Sequence, residues 1–277
     1  MINQFDNEIL SAFLLYVDYR IQSKGSGYLN WSSQLYPVNT DINGLYALSS
    51  PFGAMCNDVG LTGAQIMSGV YVNGVYTPVG SGNLVSINHY KGAVYFSQPL
   101  PSGAVVSGNY SIKEVPIYIA DEPEYSLLFE NTYTTTNKYV ENLSGLALDT
   151  ETAPCVFLRT KNNASVPFGF GGLEDKTKTI RATIISKNEY HRMAVSNILA
   201  DMLYAPFYIP NSVPFDSLGN YTGLAYSFTG LSFNTSVLPW IMKTTAIDVP
   251  RAGEYASVPF RFSFVDIDIS TIKVHSY

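Results

Sequence analysis

Residues suited to acid–base, nucleophilic or metal chemistry are few in this chain and lie far apart. The three histidines, His89, His191 and His275, match no ligand spacing, so a metal centre has no visible framework. His89 falls at a strand end and His191 at a helix start, positions that suit hydrogen-bonded structural roles. Asp266 and Asp268 are spaced to share one strand face, opposite Ile267 and Ile269. A calcium loop needs more oxygen ligands and a glycine turn, so the pair reads as the solvated face of an amphipathic strand. Asp121-Glu122-Pro123-Glu124 and Asp149-Thr150-Glu151 read as acidic loops that solubilise or complement a basic neighbour. No Gly-x-Ser-x-Gly elbow occurs, and Ser81, between Gly80 and Gly82, belongs to a flexible hairpin turn. Cys56 and Cys155 cannot frame a disulfide-rich fold, and a single bridge between them stays open. The sequence nominates no catalytic, cofactor-binding or metal-ligating residue. The expectation is a protein that is not an enzyme and holds no cofactor.

The elements that would position these residues are mostly strands. Residues 4–23 form the exception: Phe5, Ile9, Phe13 and Val17 share one helical face, Leu10, Leu14 and Ile21 widen it, and Gly25 and Gly27 stop it. Such an amphipathic helix is wide enough to be covered on more than one side, within the subunit or by a neighbour. Residues 25–67 read as a loop-rich connector without lasting period, ordered by a partner. The block from Ser68 to Tyr118 is dense in strand signals. Asn73-Gly74 between Val70-Tyr71-Val72 and Val75-Tyr76-Thr77 marks a tight hairpin, because both turn positions must tolerate φ > 0. Strands over Leu84–His89 and Ala93–Ser97 flank Tyr90-Lys91-Gly92, and a further pair of strand signals runs from Ala104 to Ile119. Signals weaken from Ala120 to Gly172, where Pro154–Leu158 resembles a buried strand and Val166–Gly172 a turn-rich loop.

Thr179–Ile185 alternates as a strand and leads into a helix capped by Ser186 or Asn188, with Tyr190, Ala194, Ile198 and Met202 recurring and Val195 and Leu199 beside them, up to Pro206. The turn between strand and helix lacks the glycines that would cradle a nucleotide phosphate. Residues 207–240 are loop and short strand. Pro259–Ile269 is a strand whose phenylalanines Phe260, Phe262 and Phe264 oppose Ile267 and Ile269 in parity, which predicts a bulge near Val265. The expected fold is β-rich α+β: antiparallel sheet with hairpins, an N-terminal amphipathic helix, a second strand–helix unit and long loops. Its expected divisions are 1–67 (helix and connector), 68–119 (β-hairpin block) and 120–277 (α+β remainder), the alternative being that the last forms one continuous domain with the N-terminal helix.

Charged residues make up 14% of the chain, against the ~25% of an average soluble domain. Aromatics also reach 14%, with 21 Tyr, and interfaces favour Tyr while depleting Lys, Glu and Asp. That combination points to a surface that other protein covers, with a Tyr-rich β protein as the alternative, since Tyr also fits strands. The net charge is −6 and the basic residues are scattered, which excludes tight nucleic-acid binding but suits a surface past which DNA slides. The apolar run Ile9–Val17 is far short of the ~20 residues of a membrane span. Asp6 and Glu8 stand where a signal peptide carries Lys or Arg. Synthesis in a cytoplasm, without targeting or membrane contact, is expected.

The run GVYVNGVYTPVGSGNLVSINHYKGAVYFSQPLPSGAVVSGNYSIKEV, from Gly69 to Val115, resembles a segment of virion structural proteins of tailed bacteriophages. Its pattern is a hairpin, an aromatic-Lys-Gly turn into AVYF, and PLPSGAVVSGNYS into a closing strand. IRATIISKNEYHRMAVSNILADML, from Ile180 to Leu203, looks like the strand–helix unit that accompanies it, and the N-terminal helix also fits. Together these cover about half the chain. The resemblance implies a non-enzymatic ring subunit of the neck (the head–tail connector) or of the tail end, assembled in the host cytoplasm into the virion. Its implied partners are copies of itself and neighbouring neck, portal or tail proteins, with at most transient contact to passing DNA. The alternative is a tail-tip or baseplate protein that binds a receptor or carbohydrate.

Overall fold

A computed structural model describes residues 5–25, 27–38, 44–131, 133–134, 151–168, 173–211, 214–234, 237–250 and 258–274. The fold is a β-rich α+β arrangement with an N-terminal helix. Helix α1 spans Phe5–Gly25, with Asp6 and Glu8 in its first turn, where carboxylates favour the positive end of the helix dipole. Next come strands β1 (Tyr28–Gln34), β2 (Tyr36–Pro37) and β3 (Tyr46–Ser49). The residues expected to be an element-free connector therefore contain strands. They pair within this chain, β1 with β8 (Val106–Lys113) and β3 with β7 (Ala93–Phe96), so a partner protein is not what orders them. Their signal is faint because β1 buries no residue fully and shows no apolar–polar alternation.

The hairpin at Asn73-Gly74 joins β4 (Gly69–Val72) to β5 (Val75–Pro78), with φ of 50° and 82° at the two turn residues. Strand β6 (Leu84–Asn88) pairs with β7 across the Tyr90-Lys91-Gly92 turn. Two four-stranded sheets result, in the orders β1-β8-β4-β5 and β2-β3-β7-β6. They close on one core that contains Leu48, Val70, Leu84, Val94, Phe96, Val106 and Tyr110. Each fully buried side chain of that size contributes about 1.5–3 kcal/mol. Residues on both sides of position 67 thus share one sandwich.

Strand β9 (Ile117–Ile119) carries the chain out of the sandwich into a five-stranded mixed sheet. Helix α2 (Glu124–Phe129) and the two-residue strands β10 (Tyr133–Thr134) and β11 (Glu151–Thr152) precede the long hairpin of β12 (Cys155–Phe168) and β13 (Leu173–Ser186). The loop expected over Val166–Gly172 begins as strand through Phe168, and 169–172 lie outside the described residues. Helix α3 (Glu189–Ala200) follows, then β14 (Trp240–Asp248) and β15 (Arg261–Val274). Sheet order is β14-β15-β13-β12-β9; only β9 and β12 run parallel. β13 is antiparallel to both of its sheet neighbours, and α3 leads from it to β14, with β15 between the two strands.

The bulge expected near Val265 does not occur. β15 keeps continuous register with β13 from Arg261 to Val274. Its opposite parities instead serve two cores: Val265, Ile267 and Ile269 face α1 and α3, while Phe262 faces the other side with Cys155, Phe157 and Leu127. Helix α1 also departs from the amphipathic expectation. Ser11 to Leu15 are buried consecutively, and so are Val17, Asp18, Ile21 and Gln22. The sheet lies on one side of α1 and the segment 207–231 on the other, through Phe207 and Ile209, Tyr19 stacked on Phe228 at 4.2 Å, and Ser11 donating to the Gly219 carbonyl. Packing inside the subunit covers the helix.

Helix α3 is capped by Asn188, whose side chain accepts from the Tyr190 N–H at 2.7 Å. Its buried stripe is Arg192, Val195, Ser196 and Leu199, rotated from the expected Tyr190-Ala194-Ile198 line, and Tyr190 is 76% exposed. The helix ends at Ala200, ahead of Pro206.

Candidate functional site

The residues singled out for chemistry are dispersed and mostly paired. His89 is buried in the β6–β7 turn, with Nδ1 3.2 Å from the Gly223 carbonyl and Nε2 3.0 Å from that of Met67. Burial pushes its pKa below the ordinary value, although the two carbonyls act in the opposite direction. Asp266 accepts from Arg181 Nε and Nη2 at 2.6 and 2.8 Å and from Lys161 at 3.1 Å. The Arg181 hydrogen bonds hold its carboxyl below the usual range. Asp268 accepts from Thr179 Oγ1 at 2.6 Å. The pair does share one face, as its spacing predicts, but that face is a lattice of ion pairs rather than bare solvated carboxylates.

Glu124 completes that lattice with Arg181 and Arg159 at 3.3 and 3.5 Å, so part of the acidic loop is matched within the chain. Glu151 lies 3.7 Å from Lys91, while Asp149 and Thr150 fall outside the described residues, as does His275. Ser81 is exposed between two positive-φ glycines. Cys56 and Cys155 are both buried free thiols; burial pushes Cys56 up to about 12 and Cys155 well above its ordinary value. Among the described residues, no three His, Cys, Asp or Glu side chains gather.

A buried polar network holds the residues that sequence reasoning missed. Lys113 of β8 donates to Asp18 of α1 at 2.7 Å, with side chains 3% and 1% exposed, and to Asn57 at 3.4 Å. Asn57 in turn donates to the Tyr221 hydroxyl and to the Leu224 carbonyl. Asp58 accepts from the N–H groups of Gly60 and Phe228, and burial raises its carboxyl pKa. The network ties α1, the sandwich and the 207–231 segment together. One signal was available: Asp18 interrupts the apolar stretch of α1, and a carboxylate there needs a cation.

An apolar concave surface lies where the sandwich meets α3. It is a groove of about 600 Å³ whose lining includes Leu29, Trp31, Phe52, Glu114, Tyr190 and His191. Trp31 meets Phe52 edge-on at 5.0 Å and is 45% exposed. Apolar walls with a carboxylate and an imidazole suit a flat ring with polar edges. His191, expected to be structural, therefore contributes to a surface.

The tyrosines divide. Tyr95, Tyr110, Tyr118 and Tyr226 serve this chain's own cores, whereas Tyr46, Tyr76, Tyr125, Tyr190, Tyr204 and Tyr208 are exposed. Val75 and Met193 are also more than half exposed. Tyr204 reaches solvent from a backbone φ of 62°, a conformation that bulky residues avoid. None of the described helices is long and apolar enough to cross a membrane. No protein family matches the chain in sequence, and no curated protein does so either.

Proposed function

We propose that this chain is a non-enzymatic structural subunit of a tailed-phage virion, part of the neck ring or the ring that terminates the tail. The observation that carries the reading is apolar exposure on separate elements of a charge-poor chain. Val75 on β5, Tyr190 on α3 and Tyr204 beyond it are 69%, 76% and 75% exposed. Ring subunits bury two unlike flanks against their neighbours, which removes such side chains from water. Copies of the chain and adjoining neck, portal or tail proteins are the partners. A net charge of −6 keeps a DNA path free of tight contacts. Mass spectrometry of purified virions, followed by imaging of the particle, tests this. The chain is expected in a ring at the neck or tail end, and its absence from the particle would overturn the reading.

The groove at Trp31 favours a second reading, a receptor- or carbohydrate-binding protein of the tail tip or baseplate. Antibody labelling at the distal end, with glycan binding lost in Trp31→Ala, would support that reading against the first.

A further inference from the structure

The outermost strands of the sheets differ in how they treat their unpaired backbone. Exposed N–H and C=O rows invite another strand, and soluble proteins block them with prolines, charges, bulges or shortness. Strand β2 has two residues, one of them Pro37, β9 has three, and β10 and β11 have two each. Strand β5 has four residues and ends in Pro78. Strand β6 carries a register irregularity between Leu84 and Ser86. Strand β14 carries one between Ile241 and Lys243 and places Lys243 on the edge. The part of β12 beyond its β9 pairing is broken between Thr160 and Asn162, at Lys161.

Strand β1 has none of these devices. Its seven residues, YLNWSSQ, include no charge, proline or glycine, and pair with β8 in unbroken register. It is the outermost strand of its sheet, and Leu29, Asn30, Trp31, Ser32 and Gln34 are exposed.

We infer that β1 is an intermolecular pairing edge, and that its occupant is β1 of a second copy, joined antiparallel across a two-fold axis. The other edges of the described sheets are blocked, so β1 with β1 is the pairing of two copies that leaves both partners unhindered. The backbone phase agrees. Leu35 donates to the Val106 carbonyl and Glu114 donates to the Gly27 carbonyl, so odd-numbered β1 residues bond to β8. Tyr28, Asn30, Ser32 and Gln34 then turn their backbone groups outward. A two-fold axis at Trp31 engages all seven residues, with Asn30 opposite Ser32 and Tyr28 opposite Gln34 as hydrogen-bonded pairs. Trp31 meets its mate, and Leu29 meets Ser33, at the closer non-hydrogen-bonded positions. No like charges face each other. An isologous pair does not build a ring, so this inference stands apart from the ring reading.

Sedimentation velocity of the full chain over a dilution series tests it. The wild type is expected to show a monomer–dimer equilibrium. Ser32→Pro, which removes an outward N–H from each copy, should move the midpoint to about tenfold higher concentration or more, at the ~1 kcal/mol worth of each hydrogen bond. Ser32→Ala, which keeps the N–H, should leave the midpoint in place. If Ser32→Pro does not fold, cysteine pairing decides. Leu29→Cys mixed with Ser33→Cys should form a disulfide-linked heterodimer that neither variant forms alone. A monomer at all concentrations, a dimer that survives Ser32→Pro, or the absence of the mixed disulfide overturns the inference. A chain that is monomeric alone but shields β1 only inside a larger particle gives the edge to another protein's strand, which also overturns it.

Discussion

Lys113 and Asp18 neutralise each other where water does not reach, and each would be costly alone. Lys113→Met should destabilise the chain by about 3–5 kcal/mol, because it strands a buried carboxylate, and adding Asp18→Leu should restore much of the loss. Urea unfolding of the single and double variants measures both. His89 sets a pH dependence of predictable sign. Its folded pKa lies below the ordinary 6.5, so the unfolded chain takes up a proton first as pH falls. This contribution is complete above about pH 6.5 and is lost as pH drops toward the folded pKa, below which both states are protonated. The urea midpoint should fall from pH 8 to pH 5, and His89→Gln should flatten that fall; equal slopes would contradict it. The hydrogen-bonded structural role of His89 was legible from its place at a strand end, but the enclosure of His89 and Lys113 was not. A histidine and a lysine look alike whether solvated or enclosed, and only the long-range packing of α1 and the 207–231 segment encloses these two.

At the scale of elements, turns were the legible part. Asn73-Gly74 and Tyr90-Lys91-Gly92 announce their hairpins because φ > 0 restricts residue choice locally. The two turns differ in what surrounds them. A Cβ added at Gly74 meets nothing within 4 Å, whereas at Gly92 it would lie 1.9 Å from the Gly53 carbonyl oxygen. Gly74→Ala should cost about 1–2 kcal/mol for its left-handed backbone alone. Gly92→Ala should cost at least about 3 kcal/mol, since backbone must move, and thermal unfolding would separate the two. Besides β1, β2 and β3, helix α2 and strand β14 escaped the sequence. Helix α2 has six residues, too few for a helical period to register. Strand β14 is an edge strand exposed along most of its length, so no alternation marks it. The two-sided burial of β15 produced a parity conflict that a single strand cannot distinguish from a bulge.

For the molecule as a whole, fold class could be read but the division of labour could not. The 25–67 stretch, assigned to neighbours, turns out to supply three of the sandwich's eight strands, which sequence reading misses because the partners of β1 lie up to about 85 residues away. Cys56 and Cys155 sit in different parts of the interior, one beside the Lys113–Asp18 network and one under the far face of the five-stranded sheet. Both thiols should resist an aromatic disulfide reagent under native conditions and react at the rate of global unfolding. Fast labelling without denaturant would contradict this.

The order of synthesis runs against the order of packing. Helix α1 emerges from the ribosome well ahead of its cover, for the sheet that shelters Phe13, Leu14 and Val17 draws on strands made after residue 150. The last of the described strands in chain order, β15, takes an interior place between β14 and β13 rather than joining at the rim. A nascent chain therefore carries an unsheltered apolar helix until those later strands follow. Premature termination anywhere before β15 would release a polypeptide fit for a chaperone or a protease, not a smaller working protein.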